Sequence, residues 1–317
     1  MLKKRKSTEA LVLFLILLTA FVFRFQHIQS VPPGLYPDEA MNGNNAIQAL
    51  ETKNYKIFYP ENNGREGLFI NIQAQALKIF GYKPWALRIV SALFGLLTVL
   101  GLYLLTKQLY NWQIASIASF YLAISLWHTN FSRIGFRAIM APMFAVFAFY
   151  FLWKGIQKTA ILPFALSGIF LGLGFHSYIG FRIIPLAVII LLASYWIKIK
   201  KDYDNEKYEH LKSRLIKGFA ALLLFSILAA LPLIYYFWLN PQDFIGRAGQ
   251  VSISNSSEPF RELGKSVIKT LGSFNFIGDW NWRHNLAGRP QLYWPIGVLF
   301  LIGILKAFIK LFKDKKE

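Results

Sequence analysis

Cysteine is absent from this 317-residue sequence, and acidic residues are few. Without cysteine the chain forms no disulfide framework and no cysteine-ligated zinc site, although this absence does not identify the compartment. Sixteen Asp and Glu residues stand against 35 Lys and Arg residues, which gives a formal net charge of +19 at pH 7. In a soluble protein such an excess would indicate a nucleic-acid partner, so the class of protein has to be decided first.

Charged residues of both signs make up only 16% of the chain, whereas hydrophobic residues make up 55%. A soluble domain of this length cannot bury that much apolar surface in one core, but a bilayer can cover it. The basic excess then reflects attraction to anionic membrane lipids and retention of Lys and Arg in the cytoplasm, and no nucleic-acid partner is expected. We therefore predict an all-α, polytopic integral membrane protein.

Eight apolar runs approach the length of about 20 residues that a helix needs to cross the hydrocarbon core. These predicted spans cover residues 10–25, 85–105, 112–127, 134–153, 160–176, 181–197, 219–239 and 292–312. Residues 1–317 are thus expected to form a single transmembrane domain. It has two large extracytoplasmic loops, 26–84 and 240–291, and one basic cytoplasmic loop, 198–217.

The orientation follows from basic residues and tryptophans. More than half of the 35 Lys and Arg residues fall at the N-terminus, at the C-terminus or in links that this map places inside. All tryptophans except Trp280 and Trp282 lie at predicted span ends, where amphipathic rings favour the membrane interface. We predict a multi-pass protein of the plasma or inner membrane, with both termini cytoplasmic.

Acidic residues are also absent from the predicted spans. Ion-coupled carriers usually place carboxylates at membrane depth, so this absence argues against a carrier or flippase for lipid-linked sugars. The sequence has no HExxH motif and no Walker loop, and its five histidines are scattered. We assign no metal ligands and no cofactor, and a divalent metal ion is neither required nor excluded.

The first acidic residues beyond the first span are Asp38 and Glu39, in a proline-bracketed segment near the outer membrane surface. One interpretation is that Asp38 caps a helix starting near Ala40 and that Glu39 interacts with the helix dipole. The other is that Asp38 is a catalytic carboxylate. The two are compatible, because a capping turn would hold such a carboxylate rigidly.

Basic and titratable side chains mark the outer ends of the middle spans: His128, Arg133, Arg137, His176 and Arg182. Arg133 and Arg137 are four residues apart, so they share one face of a continuous helix. They could anchor the interface by extending to lipid headgroups. Together with Arg182, His176 and neighbouring Tyr178, they also suit a substrate-binding phosphate clamp, because arginine presents a planar fork of donors.

These groups suit transfer of a sugar from a lipid phosphate. The departing phosphate is a good leaving group once cations hold its charge, and one carboxylate can orient or deprotonate the acceptor hydroxyl. Two alternatives stay open at this point, a carrier or flippase for lipid-linked sugars and a non-catalytic subunit that binds such a lipid.

Five stretches carry a family likeness: YPDEA at 36–40, GREGL at 64–68, WALR at 85–88, FSRIGFR at 131–137 and GDWNWRHN at 278–285. Between residues 10 and 303 the sequence resembles GT-C superfamily glycosyltransferases, in the branch of protein O-mannosyltransferases and lipid A aminoarabinose transferases. Gly67 stands where that family often has proline. The family usually continues beyond eight spans, so a truncated product or fragment is also an expectation.

The resemblance implies an inverting transfer of a hexose or pentose from a polyprenyl-phosphate sugar to a protein, lipid or polysaccharide at the extracytoplasmic face. Asp38 would be the catalytic carboxylate and Glu66 a second acid from the same loop, with Glu39 among the substrate-binding residues. Loop 26–84 would form two or three helices lying along the membrane. Membrane lipids and the lipid-linked sugar are the expected partners.

Overall fold

The computed structural model of the chain describes residues 2–251 and 256–313. Within them the chain is mostly helical. The helices are α1 Leu2–Phe25, α2 Pro37–Thr52, α3 Gly67–Phe80, α4 Pro84–Leu109, α5 Trp112–Ile124, α6 Leu126–Phe131, α7 Met140–Lys158, α8 Ile161–Gly174, α9 Ile184–Asp202, α10 Asn205–Leu239, α11 Pro241–Val251, α12 Pro259–Asn275 and α13 Trp294–Lys313. Short 3-10 turns, Arg137–Ile139 and Ile179–Ile183, precede α7 and α9. Strands β1 Phe58–Tyr59 and β2 Arg65–Glu66 pair antiparallel, with Phe58 opposite Glu66.

The described residues contain five helices that are long and apolar enough to cross a membrane: Lys6–Phe25, Pro84–Leu109, Arg137–Lys158, Ile179–Asp202 and Asn205–Leu239. Shorter apolar helices at Trp112–Ile124 and Ile161–Gly174 coincide with the third and fifth predicted spans. The 20-residue α13 covers the eighth. The prediction of an all-α membrane protein is confirmed at this level.

The helices pack through small residues and aromatic rings. Helix α8 packs between α7 and α10, α4 contacts α5 and α7, and α1 lies against α4 and α5. A Cβ atom on Gly168 or Gly172 of α8 would collide with carbonyl oxygens of α10. These two glycines therefore let the α8 and α10 backbones approach closely.

The segment 198–217, predicted as a basic loop, is mostly helical. Helix α9 runs to Asp202 and α10 begins at Asn205, so only two residues separate the helices. The Asp204 carboxylate accepts a hydrogen bond of 2.9 Å from the Lys207 N–H and caps α10. Apolar content delimits the part of a helix that lies in lipid, but it does not mark where a charged helix continues into water.

The segment 134–153, predicted as one span, starts later than expected. Helix α6 ends at Phe131, and the chain then turns at Gly135, whose φ of +61° is left-handed. The prediction that Arg133 and Arg137 share one helix face is therefore wrong, because this turn separates them. Glycine is needed here also because a Cβ atom would lie 2.9 Å from the Glu39 carboxylate.

Candidate active site

The first large loop contains two helices, α2 and α3, and a buried ion pair fastens α2 to the membrane bundle. Arg88 Nε of α4 lies 2.9 Å from Glu39 Oε1, and the two side chains are only 2% and 1% exposed. Arg88 also donates to the carbonyls of Pro32 and Gly34, and the Tyr36 N–H donates to Glu39 Oε2 at 3.0 Å. Glu39, which was predicted to bind substrate, is thus held in an internal contact that positions α2.

Asp38 lies next to this anchor, in the first turn of α2. The helix begins at Pro37 and its N-cap is Tyr36, so the interpretation of Asp38 as the cap of a helix near Ala40 is wrong. The Asp38 side chain lines a cavity, and its Oδ1 accepts a hydrogen bond of 2.7 Å from Asn62 Nδ2. The anchored helix and this amide together orient the carboxylate.

Asn62 reaches Asp38 from the tip of the hairpin between β1 and β2. Asn62, Asn63 and Gly64 have φ values of 53°, 64° and 79°, so three consecutive residues are left-handed. Asparagine tolerates this conformation better than most residues, and glycine adopts it freely. The tip places both asparagines at the cavity. Sequence reasoning missed them, although Asn-Asn-Gly is typical of a turn.

The base of the hairpin is fixed by buried polar contacts. Arg65 donates to Asn42 Oδ1 at 2.7 Å and to Asn45 Oδ1 at 2.6 Å, which ties the hairpin to α2. The Gly67 N–H donates to the Ile57 carbonyl at 2.8 Å, in a space that admits no Cβ atom. The lack of room for a Cβ atom requires glycine at this position, and proline would in addition lose this hydrogen bond because it has no N–H.

Arg137 faces the cavity beside Glu66. Its Nε lies 3.0 Å from Glu66 Oε2, its Nη2 donates to the Gly64 carbonyl at 3.4 Å, and its guanidinium lies 5.6 Å from the centre of the Tyr178 ring. No hydrogen bond from Arg137 Nη1 is found in the part of the chain that the structure describes. Arg137, Glu66 and Tyr178 are therefore brought together, with Glu66 holding the arginine.

The other predicted clamp residues lie elsewhere. Arg133 donates to the carbonyls of Phe23, Gln26 and Val31. His176 Nε2 lies 3.0 Å from the Ala229 carbonyl. The Arg182 guanidinium lies 4.5 Å from the centre of the Phe244 ring. None of these three side chains is among those that line the cavity within the described residues.

The second large loop also contributes to the cavity. His284 lines the cavity and packs on Phe131, with ring centres 5.3 Å apart. Asn130 Nδ2 donates to the Arg283 carbonyl at 2.6 Å. The Asn281 N–H and the His284 ring lower the pKa of Asp279, whose Oδ2 lies 3.0 Å from His284 Nδ1. The family-like stretch 278–285 was the signal for this contact, although His284 itself was not predicted as a site residue.

The cavity has a volume of about 530 Å³ and joins groups from both loops. It is lined by Asp38, Asn42, Asn62, Asn63, Trp127, His128, Phe131, Phe136, Arg137, Ala138, Ile139, Pro142, Tyr178 and His284. A carboxylate and a guanidinium therefore face a chamber with aromatic walls. Among the described residues, no group of three or more His, Cys, Asp or Glu side chains is arranged to hold a metal ion.

Comparison with known proteins agrees with this architecture. Residues 68–229 match the family described as dolichyl-phosphate-mannose-protein mannosyltransferase. The Bacillus subtilis (strain 168) protein named "Putative mannosyltransferase YkcB" is 23% identical over 210 residues, which are 63% of this chain but 28% of that protein. The chain therefore spans well under half the length of this relative.

Solved structures share the fold. The archaeal oligosaccharyltransferase AglB from Archaeoglobus fulgidus, in complex with an inhibitory peptide and a dolichol-phosphate, superposes with a TM-score of 0.56. The match is 17% identical and covers 84% of this chain and 37% of AglB. The apo form of the Archaeoglobus fulgidus enzyme gives the same TM-score at 15% identity, covering 83% of this chain and 37% of that chain. At these identities the likeness shows the fold alone.

Proposed function

Because this chain belongs to the dolichyl-phosphate-mannose-protein mannosyltransferase family, within the GT-C glycosyltransferases, we propose that it transfers a sugar from a polyprenyl-phosphate-linked donor to an acceptor hydroxyl. The transfer takes place at the extracytoplasmic face of the cell membrane and inverts the anomeric carbon. The observation that carries the proposal is the cavity in which Asp38 and Arg137 face the same space.

Asp38 acts as the general base in this proposal. It takes the proton from the acceptor hydroxyl as that oxygen forms a bond to the anomeric carbon. The bond between the anomeric carbon and the phosphate oxygen breaks on the opposite face, and the electron pair leaves with the phosphate. A single displacement of this kind inverts the configuration. The hydrogen bond that Asn62 Nδ2 donates to Asp38 Oδ1 orients the carboxylate.

Arg137 holds the charge that develops on the departing phosphate. Arg137 Nε donates a hydrogen bond to Glu66, and Arg137 Nη2 donates one to the Gly64 carbonyl. These two contacts fix the plane of the guanidinium before substrate binds. The aromatic walls of the cavity, including Trp127 and Tyr178, suit the apolar faces of a sugar ring. In this arrangement Glu66 is a positioning residue for Arg137.

The topology is part of the proposal. Eight spans with both termini in the cytoplasm put loops 26–84 and 240–291 on the outer side. The convergence of Asp38 from the first loop and His284 from the second on one cavity supports a common side for both. A lipid-linked donor can enter such a site while its tail stays in the bilayer. AglB was solved with an inhibitory peptide and a dolichol-phosphate, which supports a lipid-linked donor for this chain.

A transfer assay on the purified protein tests this function. The protein is offered polyprenyl-phosphate donors that carry different sugars. The amount of polyprenyl phosphate released measures hydrolysis or transfer. We expect turnover of at least one donor. Asp38→Asn should bind the donor normally, because the new amide oxygen still accepts from Asn62, yet lose about two to four orders of magnitude in turnover.

Glu51→Gln provides the matched control, since Glu51 is an exposed acid at the other end of the same helix. Its turnover should equal that of the wild-type protein. Near-normal turnover in Asp38→Asn would refute the assignment of the base. If no donor in the panel turned over, the enzymatic proposal itself would fail.

A further inference from the structure

Arg24, at the outer end of α1, is fully buried, with no exposed surface. Its Nη1 donates to the carbonyls of Ala20 and Ala123, at 3.0 and 2.9 Å. Its Nη2 donates to the Leu122 carbonyl at 3.3 Å and lies 2.8 Å from Nδ1 of His128. No carboxylate pairs with Arg24 among the residues that the structure describes. Burying a cation without an opposite charge is costly. The backbone carbonyls offset part of that cost, and an anion bound nearby would offset more.

His128 connects this arginine to the cavity. Arginine has donors and no acceptor, so Nδ1 of His128 accepts the Arg24 hydrogen bond. The neutral imidazole therefore carries its proton on Nε2, and the adjacent guanidinium disfavours a second positive charge. His128 is 5% exposed and lines the cavity. Its Nε2 is buried and has no hydrogen-bond partner within the described residues.

A buried N–H donor without a partner costs free energy that an incoming acceptor recovers. The surroundings indicate that this acceptor is anionic. Arg133, also buried, bonds only to backbone carbonyls of residues 23–31 in the part of the chain described. Arg24 and Arg133 are thus two buried guanidinium groups that no carboxylate pairs with among the described residues. Arg24 contacts His128 on the cavity wall, and its field favours a negative charge in the cavity.

We propose that His128 donates its Nε2–H to a phosphate oxygen of the lipid-linked donor, with Arg24 as the positioning residue that fixes the tautomer and supplies positive charge. This inference rests on the proposed function and extends it, because it adds a second hydrogen-bond donor to Arg137 for the same phosphate. As the bond to the sugar breaks, negative charge grows on the phosphate, and the hydrogen bond from His128 strengthens.

Lipid binding to the full-length purified chain tests the role of His128, with native mass spectrometry as the readout. The probes are undecaprenyl phosphate, undecaprenol, which lacks the phosphate, and inorganic phosphate as a competitor. His128→Phe keeps a ring but removes the donor, and we expect roughly 10- to 100-fold weaker binding of undecaprenyl phosphate, the range for a lost hydrogen bond to a charged group. Undecaprenol binding should not change.

Two further variants sharpen the result. His128→Gln places an amide N–H near the former Nε2, so it should recover much of the phosphate affinity. Arg24→Gln keeps donors for the surrounding carbonyls but removes the charge. It should lower the preference for undecaprenyl phosphate over undecaprenol by roughly tenfold, the scale of one charge-assisted contact. His210→Phe, an exposed histidine on α10, is the matched control and should bind both lipids normally.

The proposal is overturned if the wild-type protein does not prefer undecaprenyl phosphate, or if His128→Phe keeps that preference. Equal loss of both lipids would assign His128 to packing. Equal potency of inorganic phosphate and the lipid in competition would assign the site to free phosphate. The comparison of undecaprenyl phosphate with undecaprenol measures binding and needs no turnover. Absence of sugar transfer would therefore refute the proposed function, whereas the role of His128 is decided by the binding measurements alone.

Discussion

The arginines at the predicted outer span ends have different environments in the structure, although they look alike in the sequence. Arg137 borders the cavity, Arg133 is occupied by backbone carbonyls, and Arg182 packs on Phe244. The chemistry of a guanidinium depends on what its five N–H groups already contact. Only Arg137 of these three combines contact with the cavity and a fixed plane, which makes it the phosphate-binding candidate.

Arg137→Ala should weaken binding of the lipid-linked donor by roughly 2–5 kcal/mol, since one partner of a partly buried charge contact is removed. Binding of a water-soluble acceptor should change little. Dissociation constants for the two substrates, measured separately, check this expectation. Arg214→Ala, an exposed arginine on α10, is the control. Equal losses for donor and acceptor would show that Arg137 is only an interface anchor.

At the scale of elements, α2 and the β1–β2 hairpin act as one support for Asp38. The Glu39–Arg88 pair holds α2 against α4, and Arg65 holds the hairpin against α2. The two supports meet where Asn62 contacts Asp38. A catalytic carboxylate needs such a rigid surrounding shell, because small displacements reduce turnover strongly.

Arg88→Ala leaves the Glu39 carboxylate buried without its partner and should destabilise the fold by about 3–5 kcal/mol. Thermal unfolding in detergent measures this loss, and turnover should fall as α2 loses its anchor. The double variant Glu39→Gln with Arg88→Met removes both charges and should recover part of the stability. An Arg88→Ala protein with unchanged unfolding temperature would contradict the role of the pair.

At the scale of the whole molecule, both large loops meet at one end of the helical bundle. The hydrogen bond that Asn130 Nδ2 donates to the Arg283 carbonyl links segments far apart in the sequence. The basic residues of the α9–α10 connection belong to the opposite, cytoplasmic side in the proposed topology. The active site would then open toward the outer surface, next to the lipid phase that holds the donor.

Single cysteines test this topology without background, because the chain has no cysteine. Cysteines replacing Tyr55 or Ser256 should react with a membrane-impermeant maleimide in intact cells. A cysteine replacing Asn205, at the start of α10, should react only after lysis. Labelling of position 205 from outside would invert the proposed orientation.

The sequence by itself determined the class of protein and the approximate positions of its apolar helices. It also drew attention to the segments around Asp38, Arg137 and residues 278–285, which contribute side chains to one cavity. Hydropathy accumulates over about 20 adjacent residues, so spans can be predicted from local composition. The same reasoning could not predict that residues 198–217 are mostly helical, because charged residues occur both in helices and in loops.

Only the tertiary structure decided which polar groups face one another. The turn at Gly135 separates Arg133 from Arg137, and the left-handed hairpin tip brings Asn62 to Asp38. Arg24 lies at the end of an apolar helix, and its link to His128 joins residues 104 positions apart. Hydrogen bonds and ion pairs act over a few ångströms in space, and sequence spacing measures that distance only within one helix or strand.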